Sequence, residues 1–205
     1  MDHRTQQKPN DMNGRTMRIA MAAVLLLAIT ACKKDKDDVL TPSAPPANEE
    51  EVITTVQVTF TDQETPTEVF HMQVNFDDVG GGDPVAVADT LPAQRAFDVS
   101  IRVLNESVSP AVDLTNEMRN EGTDHQFFFQ VTNGNLTMTY ADADANGRPI
   151  GLTSTAVTGA ASIGGDLRLT LRHQPNKAAV GVEAGAITNA GGETDVEVNF
   201  PLTIR

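Results

Sequence analysis

Val52-Ile53-Thr54-Thr55-Val56-Gln57-Val58-Thr59-Phe60 is the stretch on which the fold turns. Val52, Thr54, Val56, Val58 and Phe60 share one phase of a two-residue period, with Thr55, Gln57 and Thr59 on the other. Successive side chains of a strand point to opposite faces, so this pattern predicts a strand with one buried and one wet side. The same alternation recurs at Phe70, Met72, Val74 and Phe76, at Phe97, Val99, Ile101 and Val103, and at Leu136, Met138 and Tyr140. It returns at Leu167, Leu169 and Leu171 and at Val196, Val198, Phe200, Leu202 and Ile204. Turn-forming residues separate these runs: Thr65-Pro66, Gly80-Gly81-Gly82-Asp83-Pro84, Asn133-Gly134-Asn135, Asn146-Gly147 and Gly164-Gly165-Asp166. Short strands so spaced predict an all-β fold, an antiparallel, immunoglobulin-like β-sandwich over residues 50–205. The exception is Asp113 to Glu121, which suits a short helix ended by Gly122.

Ahead of the sandwich lies a different kind of sequence. An apolar stretch from Ile19 to Ile29 follows Arg18 and ends at the small residue Ala31, directly before Cys32, the single cysteine of the chain. The run falls short of the roughly 20 residues that span a bilayer, so it reads as a secretory signal peptide over residues 1–31. Met12 and Met17 are alternative starts that leave the mature chain unchanged. Ile29-Thr30-Ala31-Cys32 resembles the bacterial lipobox, which implies lipidation of Cys32 and anchoring on a membrane without crossing it. A lipidated cysteine is available neither for a disulfide nor as a nucleophile. Residues 32–49 combine Lys33-Lys34-Asp35-Lys36-Asp37-Asp38 with prolines and small residues, the composition of a disordered tether.

The whole chain carries a formal charge of −13. Removing residues 1–31 takes away four basic and two acidic residues, leaving 11 against 26, about −15. Nucleic acid is excluded as a partner by repulsion from its phosphates, and anionic lipid headgroups are disfavoured equally. Nothing in the sequence speaks to oligomeric state.

Glu51–Phe60 (EVITTVQVTF), Asp124–Phe129 (DHQFFF), Tyr140–Leu152 (YADADANGRPIGL), Leu167–Asn176 (LRLTLRHQPN) and Gly192–Phe200 (GETDVEVNF) resemble stretches of a group of small Bacteroidota lipoproteins. Lys36-Asp37-Asp38 resembles the tether signal that accompanies export to the cell surface in such proteins. The resemblance implies an outer-membrane lipoprotein, displayed on the surface rather than facing the periplasm, and a setting beside an outer-membrane transporter. Proteins of this group are sometimes labelled as type 1 periplasmic-binding folds. That label implies a longer, two-lobed protein with a parallel sheet, whereas the alternation here is that of antiparallel strands.

No Gly-x-Ser-x-Gly elbow, P-loop, Gly-x-Gly-x-x-Gly turn or His-Glu-x-x-His pair occurs, so no catalytic residue is assigned and the chain is not read as an enzyme. The histidines are more informative. His3 falls within the signal, and His71 shares the wet phase of its strand with Gln73 and Asn75. His125, however, is in phase with Phe127, Phe129 and Val131, and His173 with Leu167, Leu169 and Leu171. If successive strands alternate in direction, both fall at one end of the sandwich. Near carboxylates such as Asp124, Glu193 or Asp195 they form a candidate site for zinc or copper. Half-buried histidines bonded to backbone at strand ends are the plainer alternative.

Asp142-Ala143-Asp144-Ala145-Asn146-Gly147 offers oxygens at alternate positions, as in the first half of a calcium loop. Thr153 stands where the bidentate glutamate of that loop would be, and Asx turns in a hairpin explain the same residues. This loop and the Gly/Ala-rich segment from Gln174 to Glu193 are expected at the histidine end, where loops on a rigid scaffold carry function. The sequence thus points to a non-catalytic lipoprotein that binds a small ligand or a metal ion. A structural or adhesive surface module is the competing class. The absence of tryptophan and the single tyrosine, Tyr140, count against sugar capture by ring stacking.

Overall fold

The computed structural model describes residues 51–76 and 84–205. The signal peptide, Cys32, the tether and the Gly80–Asp83 part of the glycine turn lie outside the described residues. What is described falls within one compact unit, Pro45–Arg205.

Ten strands, one short helix and one 3-10 turn follow in order: β1 Thr55–Asp62, β2 Val69–Asn75, β3 Val85–Ala88, β4 Ala96–Asn105, β5 Val112–Asp113, α1 Thr115–Asn120, β6 His125–Thr132, β7 Leu136–Tyr140, β8 Thr153–Thr158, β9 Ser162–His173, the turn Ile187–Asn189, and β10 Glu193–Ile204. They form two antiparallel sheets. The larger has the order β3-β2-β1-β4-β8-β7 with β5 beside β4, and the smaller has the order β10-β9-β6. The expected β-sandwich is therefore present.

Register puts the apolar phase of each strand into one layer. On β1, Val56, Val58 and Phe60 stand opposite Val74, Met72 and Phe70 of β2, and opposite Val103, Ile101 and Val99 of β4. In the smaller sheet Leu171, Leu169 and Leu167 stand between Phe127, Phe129 and Val131 of β6 and Val196, Val198 and Phe200 of β10. These inward faces share one core. Burying the apolar area of each such side chain contributes about 1.5–3 kcal/mol, which holds the layers together without disulfides. Phe97 adds edge-to-face contacts with Phe60 and Phe70, at centroid distances of 6.0 and 5.9 Å. One seam is also stitched by backbone: Leu91 N–H donates to Thr203 O, and Arg205 N–H donates to Leu91 O.

Three features depart from the simple alternation. β1 begins at Thr55 rather than Val52, because Thr54 and Thr55 are both buried and the phase breaks between them. The hydroxyl of Thr54 donates to Leu104 O and accepts from Glu106 N–H, which satisfies it inside. Upstream of the break Val52 turns out to solvent, while Ile53 packs on the core. β3 has two half-buried alanines as its inner residues and was not expected as a strand. The helix is where the sequence places it, but its C-cap is Glu121 with φ −95°. Gly122 is present for proximity rather than for left-handed backbone, since a Cβ there would press into the Ile150 side chain.

The Gln174–Glu193 segment folds over the back of the smaller sheet. Val182, Ala190, Ala179 and Ile187 cover Phe128, which faces away from the main core. This second cluster explains the unbroken apolar run Phe127-Phe128-Phe129: β6 is buried on both faces at that point.

Candidate metal centre

β6 starts and β9 ends at directly paired positions, so His125 stands opposite His173. Their rings stack with centroids 4.8 Å apart and planes 17° from parallel. The two histidines that the sequence placed at one end of the sandwich are thus direct neighbours across one ladder.

Two carboxylates complete the group. Asp195 belongs to β10, where the register slips between Thr194 and Val196. Such a bulge sets two residues against one and re-aims a side chain. Without it Asp195 would share the wet phase of Glu197 and Asn199; with it the Asp195 side chain is 3% exposed and lies 3.8 Å from both His125 Nε2 and His173 Nδ1. Glu51 comes from the segment that leads into β1. The phase break at Thr54–Thr55 leaves Glu51 and Ile53 on the inner side, and Glu51 Oε1 reaches to 3.3 Å from His125 Nε2. Asp124 and Glu193, weighed as partners on sequence, are exposed. One donor atom from each of Glu51, His125, His173 and Asp195 lies within 4.8 Å of all the others.

Backbone contacts fix the geometry. His125 Nδ1 is 3.2 Å from the carbonyl oxygen of Glu121, the C-cap of α1. Donation there places a proton on Nδ1 and turns Nε2 toward the carboxylates. An imidazole whose far N–H is fixed by a carbonyl is the usual support of a metal-bound histidine. Gly192 leads into β10 with φ +71°, and a Cβ there would collide with the carbonyl oxygen of His173. Only glycine lets the chain turn so close behind the histidine.

The centre is dry. The His125 side chain is fully buried, and Glu51 and His173 are each 10% exposed. His125 Nε2, His173 Nδ1 and Glu51 Oε2 make no hydrogen bond among the described residues. Burial pulls the His125 pKa down, but the Glu51 carboxylate, the Glu121 carbonyl and Asp195 outweigh it, so His125 sits above the ordinary imidazole value. Burial raises the Glu51 carboxyl, and the His125 contact and the backbone amide overcome that, leaving Glu51 below its ordinary value. The arrangement favours positive charge between the carboxylates. Two nitrogens and two carboxylates so disposed can hold a metal ion.

The other candidate residues have different partners. His71 is exposed, as expected, and contacts Thr59. Asp142 accepts from the amides of Gly151 and Thr153 at 2.7 and 2.9 Å. Asp144 Oδ1 accepts from the amides of Asn146 and Arg148, and its Oδ2 accepts from Lys177 Nζ at 3.0 Å. Lys177 is buried and donates also to Pro149 O and Gly122 O. All three ammonium protons are therefore used. Oxygens do converge on a cation at this loop, but the cation is the ammonium of Lys177. Asp144 thus makes an Asx turn with the Asn146 amide, and Asp142 ties the loop to the chain at Gly151 and Thr153. Lys177 also ties this loop and the Gln174–Glu193 segment to the chain just before His125, so the loops gather at the histidine end. Glu121 and Gly122, consecutive in sequence, supply one carbonyl to His125 and the next to Lys177.

Among what sequence reasoning missed, Glu51 left no local signal, because its partners lie far along the chain. Comparison with protein-family models, with curated proteins and with solved structures returned no match, so the chemistry of this centre carries the functional reading.

Proposed function

We propose that this protein is a non-catalytic, membrane-anchored lipoprotein whose sandwich holds a divalent transition metal, zinc or copper, between Glu51, His125, His173 and Asp195. The carrying observation is the pair of buried imidazole nitrogens, His125 Nε2 and His173 Nδ1, left without hydrogen bonds beside two carboxylates. His125 Nε2 has the Glu51 carboxylate 3.3 Å away, whereas His173 Nδ1 makes no hydrogen bond among the described residues. Burying such a group without a partner is unfavourable by about 1–3 kcal/mol, and a metal ion removes that penalty. Imidazole with carboxylate is a donor set suited to zinc and copper. Tetrahedral ligands about 2.0–2.1 Å from zinc stand about 3.4 Å apart, so binding draws the four donors slightly inward.

Four protein donors form a closed site, whereas catalytic zinc keeps an open position. This supports the non-catalytic reading. Burial also favours an ion that is retained, which gives weight to a structural or adhesive surface module as the second reading. Anchoring through Cys32 is supported by the apolar run and lipobox-like ending before it. A place at the outer membrane, on the surface and beside a transporter, rests on the resemblance of the tether and of the five sequence stretches.

Isothermal titration of the metal-stripped protein with zinc, and separately with copper, tests the proposal. One equivalent should bind to wild type and none to His125→Ala or His173→Ala. Equal binding by wild type and the double alanine variant would leave two buried histidines with a purely architectural role.

A further inference from the structure

Resting on that metal-binding reading, we infer that the bound ion is a clasp, fastening the chain segment that enters the sandwich to the opposite sheet. Three of the four donors come one from each strand of the smaller sheet: His125 from β6, His173 from β9 and Asp195 from β10. The fourth, Glu51, lies four residues ahead of β1, which sits inside the larger sheet. A metal held by all four therefore joins the two layers through a residue that belongs to neither.

The entering segment needs such a fastening. Among the described residues, its backbone hydrogen bonds begin at Thr54, whose N–H donates to Leu104 O and whose C=O accepts from Phe76 N–H. The Thr54 and Thr55 hydroxyls add bonds to Leu104, Glu106 N–H and the Glu106 carboxylate. Ahead of Thr54, Val52 faces solvent and Ile53 is half-buried. Glu51 is the residue of this lead-in that reaches the other layer, through His125. A segment with few backbone bonds opens locally far more readily than the strand it feeds. A metal that binds only the closed arrangement adds its binding free energy to closure, by linkage.

Placement at residue 51 gives the clasp its function. Whatever force reaches the sandwich from the N-terminal side arrives through Glu51. Without metal only the Glu51–His125 contact passes it to the three-stranded sheet; with metal it is shared through ligands on all three of that sheet's strands. Metal availability at the cell surface would then set how firmly the body is held by its own anchor segment.

Hydrogen exchange measured by mass spectrometry on the full chain in detergent, with and without zinc chloride, tests the clasp, with zinc titration in parallel. Zinc should slow exchange of the 51–54 peptide at least tenfold in wild type. Glu51→Gln should lose that protection and bind zinc at least tenfold more weakly, while β4 and β9 peptides stay protected as evidence of an intact fold. If Glu51→Gln binds zinc as wild type does and the 51–54 peptide exchanges alike with and without the ion, the clasp is overturned and the metal site stands on the other three residues. If wild type binds no zinc, both fall together.

Discussion

His125 and His173 stack face to face at 4.8 Å across the β6–β9 ladder, each ring pointing a nitrogen with no hydrogen bond toward Asp195. Because they are paired residues of neighbouring strands, neither can shift without the other. Their contributions to metal affinity should therefore be strongly non-additive. In a double-mutant cycle, His125→Ala and His173→Ala should each reduce zinc affinity nearly as much as both together. Independent, additive losses would mean that the two imidazoles do not share an ion.

Gly192 should tolerate no side chain. Gly192→Ala combines an unfavourable positive φ with collision against the His173 carbonyl, and should destabilise the fold by at least about 1 kcal/mol. Zinc affinity should fall too, because the displaced carbonyl belongs to a ligand. Urea unfolding and zinc titration on the same preparation check both effects.

Lys177→Met should be among the most damaging single changes. It leaves the Asp144 carboxylate buried without its ammonium, a loss of roughly 3 kcal/mol. Adding Asp144→Leu should restore part of it, since removing both charges is far less harmful than removing one. Millimolar calcium should leave the wild-type melting temperature unchanged, and a clear rise would return the Asp142–Asn146 loop to the list of ion sites.

Acid should act through Asp62. Its carboxylate accepts from the amides of Thr65 and Glu64, both at 2.8 Å, and faces Arg95 at 2.9 Å. The Thr65 amide first, then the Glu64 amide and Arg95, hold its pKa below the ordinary carboxylate value against the effect of burial. A carboxylate depressed on folding contributes stability that is present above its unfolded pKa, near 3.9, and is lost as pH falls through the folded value. The urea midpoint of wild type should drop between about pH 4 and 2, and Asp62→Asn should flatten that part of the curve. Equal slopes for the two proteins would refute the assignment.

Cys32→Ser should move the protein from the membrane fraction to the soluble one, because a lipidated cysteine is the proposed anchor. A variant that still sediments with membranes would end the lipoprotein reading. With wild type, protease shaving of intact cells then reports whether the body is on the surface.

Most of the sandwich was legible because Val56, Val58 and Phe60, or Leu167, Leu169 and Leu171, obey a period that only a half-buried strand imposes. The histidine pair was legible for the same reason, since each continues the apolar phase of its strand. The carboxylates were not, because both are brought in by breaks in that period. A bulge rotates Asp195 inward, and two buried threonines in succession reverse the phase ahead of β1 and bring in Glu51. Strand β3 escaped because Ala86 and Ala88 give too weak an apolar signal. The Asp142–Asn146 loop has a partner that no local pattern contains: Asp144 meets the ammonium of Lys177, more than thirty residues away.

Glu121 and Gly122 offer successive carbonyls to His125, a ligand of the proposed ion, and to the ammonium of Lys177. The ammonium is synthesised with the polypeptide and cannot be lost to a chelator, to dilution or to a competing protein. The proposed metal ion would be collected from the surroundings after folding. The loop end of the molecule is thus assembled whatever the mineral content of the medium, and His125 is already aligned by its carbonyl when an ion arrives. On the proposed metal reading, starvation would cost the protein its ion and loosen the Glu51 lead-in while sparing the histidine pair, so that recovery requires recapture without refolding of the sheets.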